Sequence, residues 1–149
     1  MAQYLLDTNI LLRLSDPASP DQTRMFATIA QILTQGDQCC ITAQVLIELW
    51  VVATRPTNVN GLGWTIEQTE NAIVRLSAQF SFLRETEAIY PTWRNLVTAH
   101  RVKGKRTHDL RLIAVMQTHV VTHLLTLNPR DFPDVLGITI VHPQDLLNA

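Results

Sequence analysis

Short apolar segments that predict β-strands alternate along this chain with longer segments that predict helices. The predicted strands lie at residues 3–6, 39–41, 82–83, 121–126 and 137–141. The predicted helices begin near Ile10, after Asp21, and at Ala43, Ile66, Thr86 and Asp109. Strands that are separated by helices form parallel sheets covered by helices on both faces. The sequence therefore predicts a three-layer α/β/α sandwich around a central, mainly parallel sheet.

The size and composition of the chain limit the functions that it could have. A chain of 149 residues is the size of one domain, and we expect a single domain over residues 1–149. The net charge of −1 gives the whole molecule no general attraction for nucleic acid, so any such attraction must come from a local patch. No apolar stretch approaches the length of a membrane span, and the N-terminus lacks a signal-peptide pattern.

The two cysteines, Cys39 and Cys40, are adjacent on a predicted strand. Neighbouring strand residues point to opposite faces of a sheet, which makes these thiols poor disulfide partners. We therefore expect buried free thiols and a location in the reducing cytoplasm.

Four acidic residues stand where an apolar strand or helix meets a turn or another element. Asp7 directly follows the first strand, and Asp131 lies a few residues beyond the fourth. Asp109 is at the head of a predicted helix, and Glu48 lies within the apolar helical segment 45–50. Because ligands of parallel sheets bind beyond the carboxyl ends of the strands, this placement permits the four carboxylates to converge.

Simpler roles remain open for each acid. Asp7 and Asp109 could only cap helices, and Asp131 could only stabilise its own turn. Glu48 could lie on an exposed helix face, although an acid among apolar neighbours is seldom buried without a partner. If all four converge, two carboxylates about 4 Å apart repel by about 4 kcal/mol at an effective dielectric of 20. A divalent cation with oxygen ligands offsets that repulsion, which favours a metal-dependent phosphoryl-transfer site.

Four motifs, in order along the chain, resemble those of PIN-domain ribonucleases. They span residues 5–9, 41–49, 104–110 and 125–132, and a Gly-Ile-x-Ile-Val-x-Pro tail follows at 137–143. A standalone domain this short is most similar to the VapC-like toxins of type II toxin–antitoxin pairs. One departure is that Leu110 and Arg111 follow Asp109, where family members often have small residues. That difference puts the packing of this helix in question.

The resemblance implies an acidic cluster that binds Mg²⁺ or Mn²⁺ and carries out catalysis, formed by Asp7, Glu48, Asp109 and Asp131. Asp7 and Asp109 would be the main direct ligands. Glu48 would act directly or through a bound water, and Asp131 would complete a second, weaker metal site. The polar side chains that would orient these oxygens are Thr8, Asn9, Thr126 and Asn128. The resemblance also implies an RNA product with a 5′-phosphate, a cognate antitoxin and a homodimer.

A basic segment precedes Asp109 and contains Arg101, Lys103, Lys105 and Arg106. It could be a solvated loop with no further role. Beside an acidic pocket it could instead steer RNA phosphates toward a site that would otherwise repel them.

Several apolar and aromatic side chains could either pack in the core or bind a partner or substrate. One set on the second predicted helix is expected to pack on the sheet, or else to form a groove for a partner peptide: Met25, Phe26, Ile29, Ile32 and Leu33. Trp50 and Trp93 are expected in the core, with base stacking as the alternative. His108 could touch substrate or simply add polarity at a helix start.

The sequence thus predicts a cytoplasmic, metal-dependent endoribonuclease of PIN type, inhibited by an antitoxin. The alternative is a binding module whose acidic site is vestigial and which only pairs with a partner protein. A receiver domain of the response-regulator kind is disfavoured, because the third strand leads into Arg84 without the required Asp, and no lysine follows Lys105.

Overall fold

The computed structural model describes residues 1–148, in which five strands form one parallel sheet. The strands are β1 (Gln3–Leu6), β2 (Gln38–Thr42), β3 (Ser81–Leu83), β4 (His123–Leu125) and β5 (Thr139–Val141). Their order across the sheet is β3-β2-β1-β4-β5, and every neighbouring pair is parallel. The predicted parallel α/β fold is confirmed.

Within residues 1–148, seven α-helices connect and flank the strands. They are α1 (Thr8–Ser15), α2 (Gln22–Thr34), α3 (Ala43–Thr54), α4 (Ile66–Gln79), α5 (Ile89–Ala99), α6 (Arg106–Thr118) and α7 (Pro143–Leu147). Helix α6 begins three residues before its predicted start at Asp109, so that residue lies within the first turn and is not the N-cap. Helix α7 was not predicted from the sequence.

The core covers both faces of the central strand. Tyr4, Leu5 and Leu6 of β1 are all buried, although successive strand residues point to opposite faces. Apolar layers must therefore lie above and below the sheet. Helix α6 is buried over most of its surface, from Leu110 through Met116 with the exception of the half-buried Arg111. This burial identifies α6 as a core helix and answers the question that Leu110 raised about its packing.

Side-chain caps fix the starts of two helices as the sequence predicts. The Thr42 hydroxyl accepts a hydrogen bond from the Val45 amide at the start of α3. Thr65 and Gln68 form the predicted capping box of α4. The predicted cap at Asp21 is wrong, because its carboxylate makes no capping bond and instead pairs with arginines on α1 and α2.

Helix α2 only partly matches its predicted apolar face. Met25, Ile29 and Ile32 are buried, whereas Phe26 and Leu33 are 50% and 53% exposed. The prediction that all five pack inward is wrong for these two. Positions 25, 29 and 32 form one helical stripe that faces the protein, and positions 26 and 33 form a neighbouring stripe that faces outward.

The predicted burial of Cys39 and Cys40 is confirmed, and both are free thiols. Among residues 1–148, no helix is long and apolar enough to cross a membrane.

Candidate active site

Three adjacent strands deliver polar residues to the same edge of the sheet. Asp7 follows β1, Thr126 follows β4, and Thr42 ends β2 and starts α3. Because β1 lies between β2 and β4 in a parallel sheet, these three carboxyl ends meet at one place. This is the edge where ligands of parallel sheets bind.

Asp7 is nearly buried, with 9% of its surface exposed. Its Oδ1 accepts a hydrogen bond from the Thr8 amide at 2.8 Å, which caps α1. Its Oδ2 accepts one from the Thr126 hydroxyl at 2.8 Å, and the Asn9 amide group lies 3.5 Å away. Asp7 is thus a helix cap, but only one of its oxygens serves that purpose.

Thr126 connects the loops that follow β1 and β4. The residue is fully buried, and its hydroxyl accepts hydrogen bonds from Asn9 Nδ2 at 3.3 Å and from the Asn128 amide at 3.1 Å. Asn9 also accepts a bond from the Leu127 amide at 3.1 Å. Asn128 contributes to this arrangement through its backbone, and its side chain is not part of it. The two loops therefore hold each other in place around the Asp7 carboxylate.

Glu48 is half-buried on α3 and faces the same edge. Its Oε2 accepts a hydrogen bond from the Thr8 hydroxyl at 2.9 Å, and its Oε1 accepts one from Gln44 Nε2 at 3.1 Å. Gln44 also donates to the carbonyl of His108 at 2.7 Å, next to Asp109 on α6. Gln44 was not among the predicted site residues. The available signal was its position four residues before Glu48, on the same face of the helix.

Asp109 lies in the first turn of α6 among other acids. Burial, followed by the charges of Asp7, Asp131 and Glu48, raises the pKa of Asp109 to about 6, against a smaller opposing effect of Arg106. The pKa of Asp7 is also raised, mainly by burial, although its bonds to Thr126 and Thr8 work in the opposite direction. Negative charge therefore accumulates at this edge without enough positive charge to balance it.

Asp131 lies in a 3₁₀ turn, Pro129–Asp131, after β4. Its carboxylate is 3.7 Å from Arg106, and both side chains are substantially exposed, so this ion pair contributes little to stability. The turn itself is closed by the Asp131 amide, which donates to the Asn128 carbonyl. The carboxylate is therefore not required for the turn.

The donor chemistry of this edge fits a divalent cation. Its ligands would be carboxylate oxygens, which suit Mg²⁺ and Mn²⁺. Within residues 1–148, no three His, Cys, Asp or Glu side chains are arranged so closely that they could hold one ion together. Each oxygen of Asp7 and each oxygen of Glu48 accepts a hydrogen bond from a neighbouring residue, which holds the two carboxylates in fixed orientations.

Basic side chains line a groove of about 320 Å³ beside Asp131. They are Arg101, Lys103, Arg106 and Arg130. Three of the four come from the predicted RNA-steering segment, and Arg130 is an addition that the sequence reading overlooked. Lys105, also in that segment, is exposed but is not among the residues that line the groove.

Arg111, which stands where family members often have a small residue, is half-buried and connects α6 with Glu85 and with Gln44 of α3. Its Nη2 lies 2.9 Å from Glu85 Oε2, and its Nη1 donates to Gln44 Oε1 at 3.2 Å. A chain of hydrogen bonds thus runs from Glu85 through Arg111 and Gln44 to Glu48.

Comparisons with known proteins agree with this architecture. The PIN domain model matches residues 4–136, and the chain therefore belongs to the PIN domain family. No curated protein matches the chain. This chain shares its fold with several solved structures, which are 22% or less identical to it in sequence.

One similar structure is VapBC-1 from nontypeable Haemophilus influenzae, with a TM-score of 0.65, 21% identity, and coverage of 95% of this chain and 98% of that one. A toxin–antitoxin complex from Klebsiella pneumoniae has a TM-score of 0.64 and 22% identity, and the match covers 94% of this chain and 97% of that one. VapC20 from Mycobacterium tuberculosis, described as a Sarcin-Ricin loop cleaving toxin, has a TM-score of 0.52 and 14% identity, and covers 81% and 86%.

Proposed function

We propose that this chain is a metal-dependent endoribonuclease that hydrolyses RNA phosphodiester bonds and uses Mg²⁺ or Mn²⁺. The observation that carries the proposal is the concentration of carboxylates at the carboxyl end of the sheet, where burial and then mutual repulsion raise the pKa of Asp109 to about 6. Membership of the PIN domain family supports it. The similar VapC20 is a Sarcin-Ricin loop cleaving toxin, which supports RNA as the substrate. Residues 1–149 would form one nuclease domain.

The acidic residues of the site would have different roles. Asp7 and Asp109 would hold the metal ion, Glu48 would act directly or through a water, and Asp131 would complete a second, weaker site. When bound, the ion would supply activated water near neutral pH and neutralise charge on the phosphate. Thr126 would keep the Asp7 carboxylate oriented, as its 2.8 Å hydrogen bond does in the folded protein.

Glu48 is held from two sides, which suits a residue that must keep one position. Thr8 donates to one of its oxygens and Gln44 to the other. The second of these contacts also links Glu48 to α6, since Gln44 bonds to the His108 carbonyl. The relative placement of Glu48 and Asp109 therefore depends on Gln44.

We further propose that the nuclease is a toxin held inactive by an antitoxin. The similar structure from Klebsiella pneumoniae is a toxin–antitoxin complex, and the one from Haemophilus influenzae is VapBC-1. Phe26 and Leu33 form an exposed apolar stripe on α2 that a partner peptide could cover. A cytoplasmic location accords with the free thiols Cys39 and Cys40.

A homodimer is proposed on the evidence of α3. This helix is apolar on nearly all sides, yet Ile47 and Val51 are 63% and 54% exposed. A helix with apolar residues all round is normally buried, and a second copy packed on this face would bury it. Light scattering of the purified protein tests this part of the proposal.

The nuclease proposal is tested by incubating purified protein with total RNA and Mg²⁺ or Mn²⁺, with and without EDTA. We expect cleavage that EDTA abolishes and excess metal restores, with 5′-phosphates on the products. The Asp7→Asn variant should keep the fold and lose cleavage by orders of magnitude, whereas Asp134→Asn, a change of an exposed loop acid, should behave as wild type. Full activity of Asp7→Asn would defeat the assignment. Absence of both Mn²⁺ binding and cleavage in the wild type would favour the vestigial binding module.

A further inference from the structure

A cavity of about 700 Å³ lies beside the acidic edge, between α5 and the first turns of α6. Its apolar wall comes from α5 and consists of Ile89, Tyr90 and Trp93. Its polar wall consists of Glu85, His108 and Arg111. The volume is within the range of small-molecule binding sites, which combine apolar and aromatic walls with a few fixed polar groups.

This aromatic cavity lies next to the proposed catalytic edge. A neighbouring cavity of about 410 Å³ is lined by Gln44, Ile47 and Glu48. Both cavities are bordered by the same polar residues, Glu85, His108 and Arg111. A ligand that extends from Glu48 across this border therefore enters the aromatic cavity.

One ring of the aromatic wall, that of Trp93, is held in position by a hydrogen bond. Trp93 Nε1 donates to the Thr107 carbonyl at 2.6 Å, which fixes the plane of the indole. The Tyr90 ring lies beside it, with centroids 5.9 Å apart and planes tilted by 31°. Tyr90 is 65% exposed, a large aromatic surface to leave in water. Nucleic-acid bases stack on such side chains in single-strand binding sites.

A series of hydrogen bonds links the polar wall of the cavity to Glu48. Arg111 binds Glu85 at 2.9 Å and Gln44 at 3.2 Å, and Gln44 binds Glu48 at 3.1 Å. Arg111 engages Glu85 through Oε2, and a carboxylate can accept several hydrogen bonds. Glu85 can therefore also accept from the exocyclic amine of a base. Adenine, cytosine and guanine carry such an amine, and uracil does not.

We propose that the aromatic cavity binds an unpaired nucleobase of the RNA substrate, stacked on Tyr90 and Trp93, with its exocyclic amine donating to Glu85. The proposal rests on the ribonuclease function proposed above and adds to it a base subsite. A nucleobase fits better than a peptide because the cavity adjoins the space beside Glu48 and because its aromatic and hydrogen-bonding walls match the face and the edge of a base. The subsite favours adenine, cytosine or guanine over uracil.

Binding can be measured separately from cleavage. In metal-free Asp7→Asn protein, we expect adenosine monophosphate to quench tryptophan fluorescence and uridine monophosphate to bind several-fold more weakly. Tyr90→Ala should weaken adenosine monophosphate binding about tenfold, whereas Tyr90→Phe, which keeps the ring, should bind as wild type. Glu85→Gln should reduce the preference for adenine over uracil. Phe82→Ala removes an exposed aromatic ring of β3 that does not line the cavity, and should leave nucleotide binding unchanged.

The same variants in an active background give the kinetic readout. With short single-stranded RNA, Tyr90→Ala should raise KM about tenfold and leave kcat nearly unchanged. Equal effects of Tyr90→Ala and Phe82→Ala, or no effect of Tyr90→Ala on an enzyme that cleaves RNA normally, would overturn the base subsite alone. Nucleotide binding with no RNA cleavage by the wild type would instead overturn the ribonuclease proposal. Self-association that Tyr90→Ala weakens, with nucleotide binding unaltered, would assign the cavity to a second copy of the chain.

Discussion

The hydroxyl of Thr126 donates a hydrogen bond to Asp7 Oδ2 at 2.8 Å, across 119 positions of sequence. The direction of this bond is set by the other two partners of the hydroxyl, because Asn9 Nδ2 and the Asn128 amide are donors and leave its proton for Asp7. Thr126 is fully buried, so water does not compete for the bond. A residue that directly follows β4 therefore orients one oxygen of Asp7, which is a proposed metal ligand.

The Thr126→Val variant keeps the shape of the side chain and removes this donor. We expect a loss of about 1–3 kcal/mol in the free energy of unfolding, because the Asn9 and Asn128 donors lose their acceptor. Cleavage should fall about 10- to 100-fold, as is typical when a group that orients a metal ligand is removed. Thr126→Ser, which keeps the hydroxyl, should restore cleavage. Denaturant titration and cleavage kinetics make the comparison, and a valine variant equal to wild type would show that the hydroxyl does not orient Asp7.

The raised pKa of Asp109 predicts how stability depends on pH in the absence of metal. Its folded-state value of about 6 exceeds the ordinary 3.8, so the folded state holds this proton more tightly than the unfolded chain. The contribution of Asp109 to stability is therefore fully present below about pH 4, is lost between pH 4 and 6, and stays lost above that. A two-unit shift is at most about 3 kcal/mol, and the partial exposure of Asp109 reduces it to about 1 kcal/mol.

Asp109→Asn should therefore be more stable than wild type at pH 7.5 in EDTA and equally stable near pH 4. Chemical denaturation over this pH range measures the difference. The exposed Asp134 offers a matched control, and Asp134→Asn should leave the pH profile unchanged. Parallel profiles for wild type and Asp109→Asn would show that repulsion at this edge is weaker than the geometry indicates.

Added Mg²⁺ or Mn²⁺ should reverse that destabilisation. An ion at 100 times its Kd stabilises the folded state by about 2.7 kcal/mol, which a thermal melt detects as a rise in Tm of several degrees. The rise should be smaller at pH 5, because the proton on Asp109 then competes with the metal. It should disappear in Asp109→Asn. The same rise in that variant would mean that the ion binds elsewhere.

Much of this arrangement follows from local sequence. Asp7 could be placed at the sheet edge because a short apolar strand ends at Leu6, and parallel strands bring their carboxyl ends together. Thr42 and the Thr65–Gln68 pair mark helix starts because their side chains cap the nearest amides. These features depend on residues only a few positions apart.

Other features depend on tertiary contacts that no local pattern contains. Gln44 gains its role only because α3 and α6 approach closely enough for it to reach the His108 carbonyl. The exposure of Phe26 depends on how α2 is rotated against its neighbours, and an apolar residue is suited to either side. Helix α6 starts at Arg106 without a side-chain cap, so the sequence gives no signal there.

The basic groove predicts a salt dependence that can be assigned to single residues. Each phosphate contact with single-stranded nucleic acid contributes about −0.7 to the slope of log affinity against log salt, so three or four contacts give roughly −2 to −3. Lys103 lines the groove and Lys105 does not, although both are exposed lysines of the same segment. Lys103→Ala should therefore make the slope about 0.7 less negative and Lys105→Ala should leave it nearly unchanged. RNA binding by the inactive Asp7→Asn protein between low and moderate salt measures the slopes, and a binding curve flat in salt would remove the groove from RNA recognition.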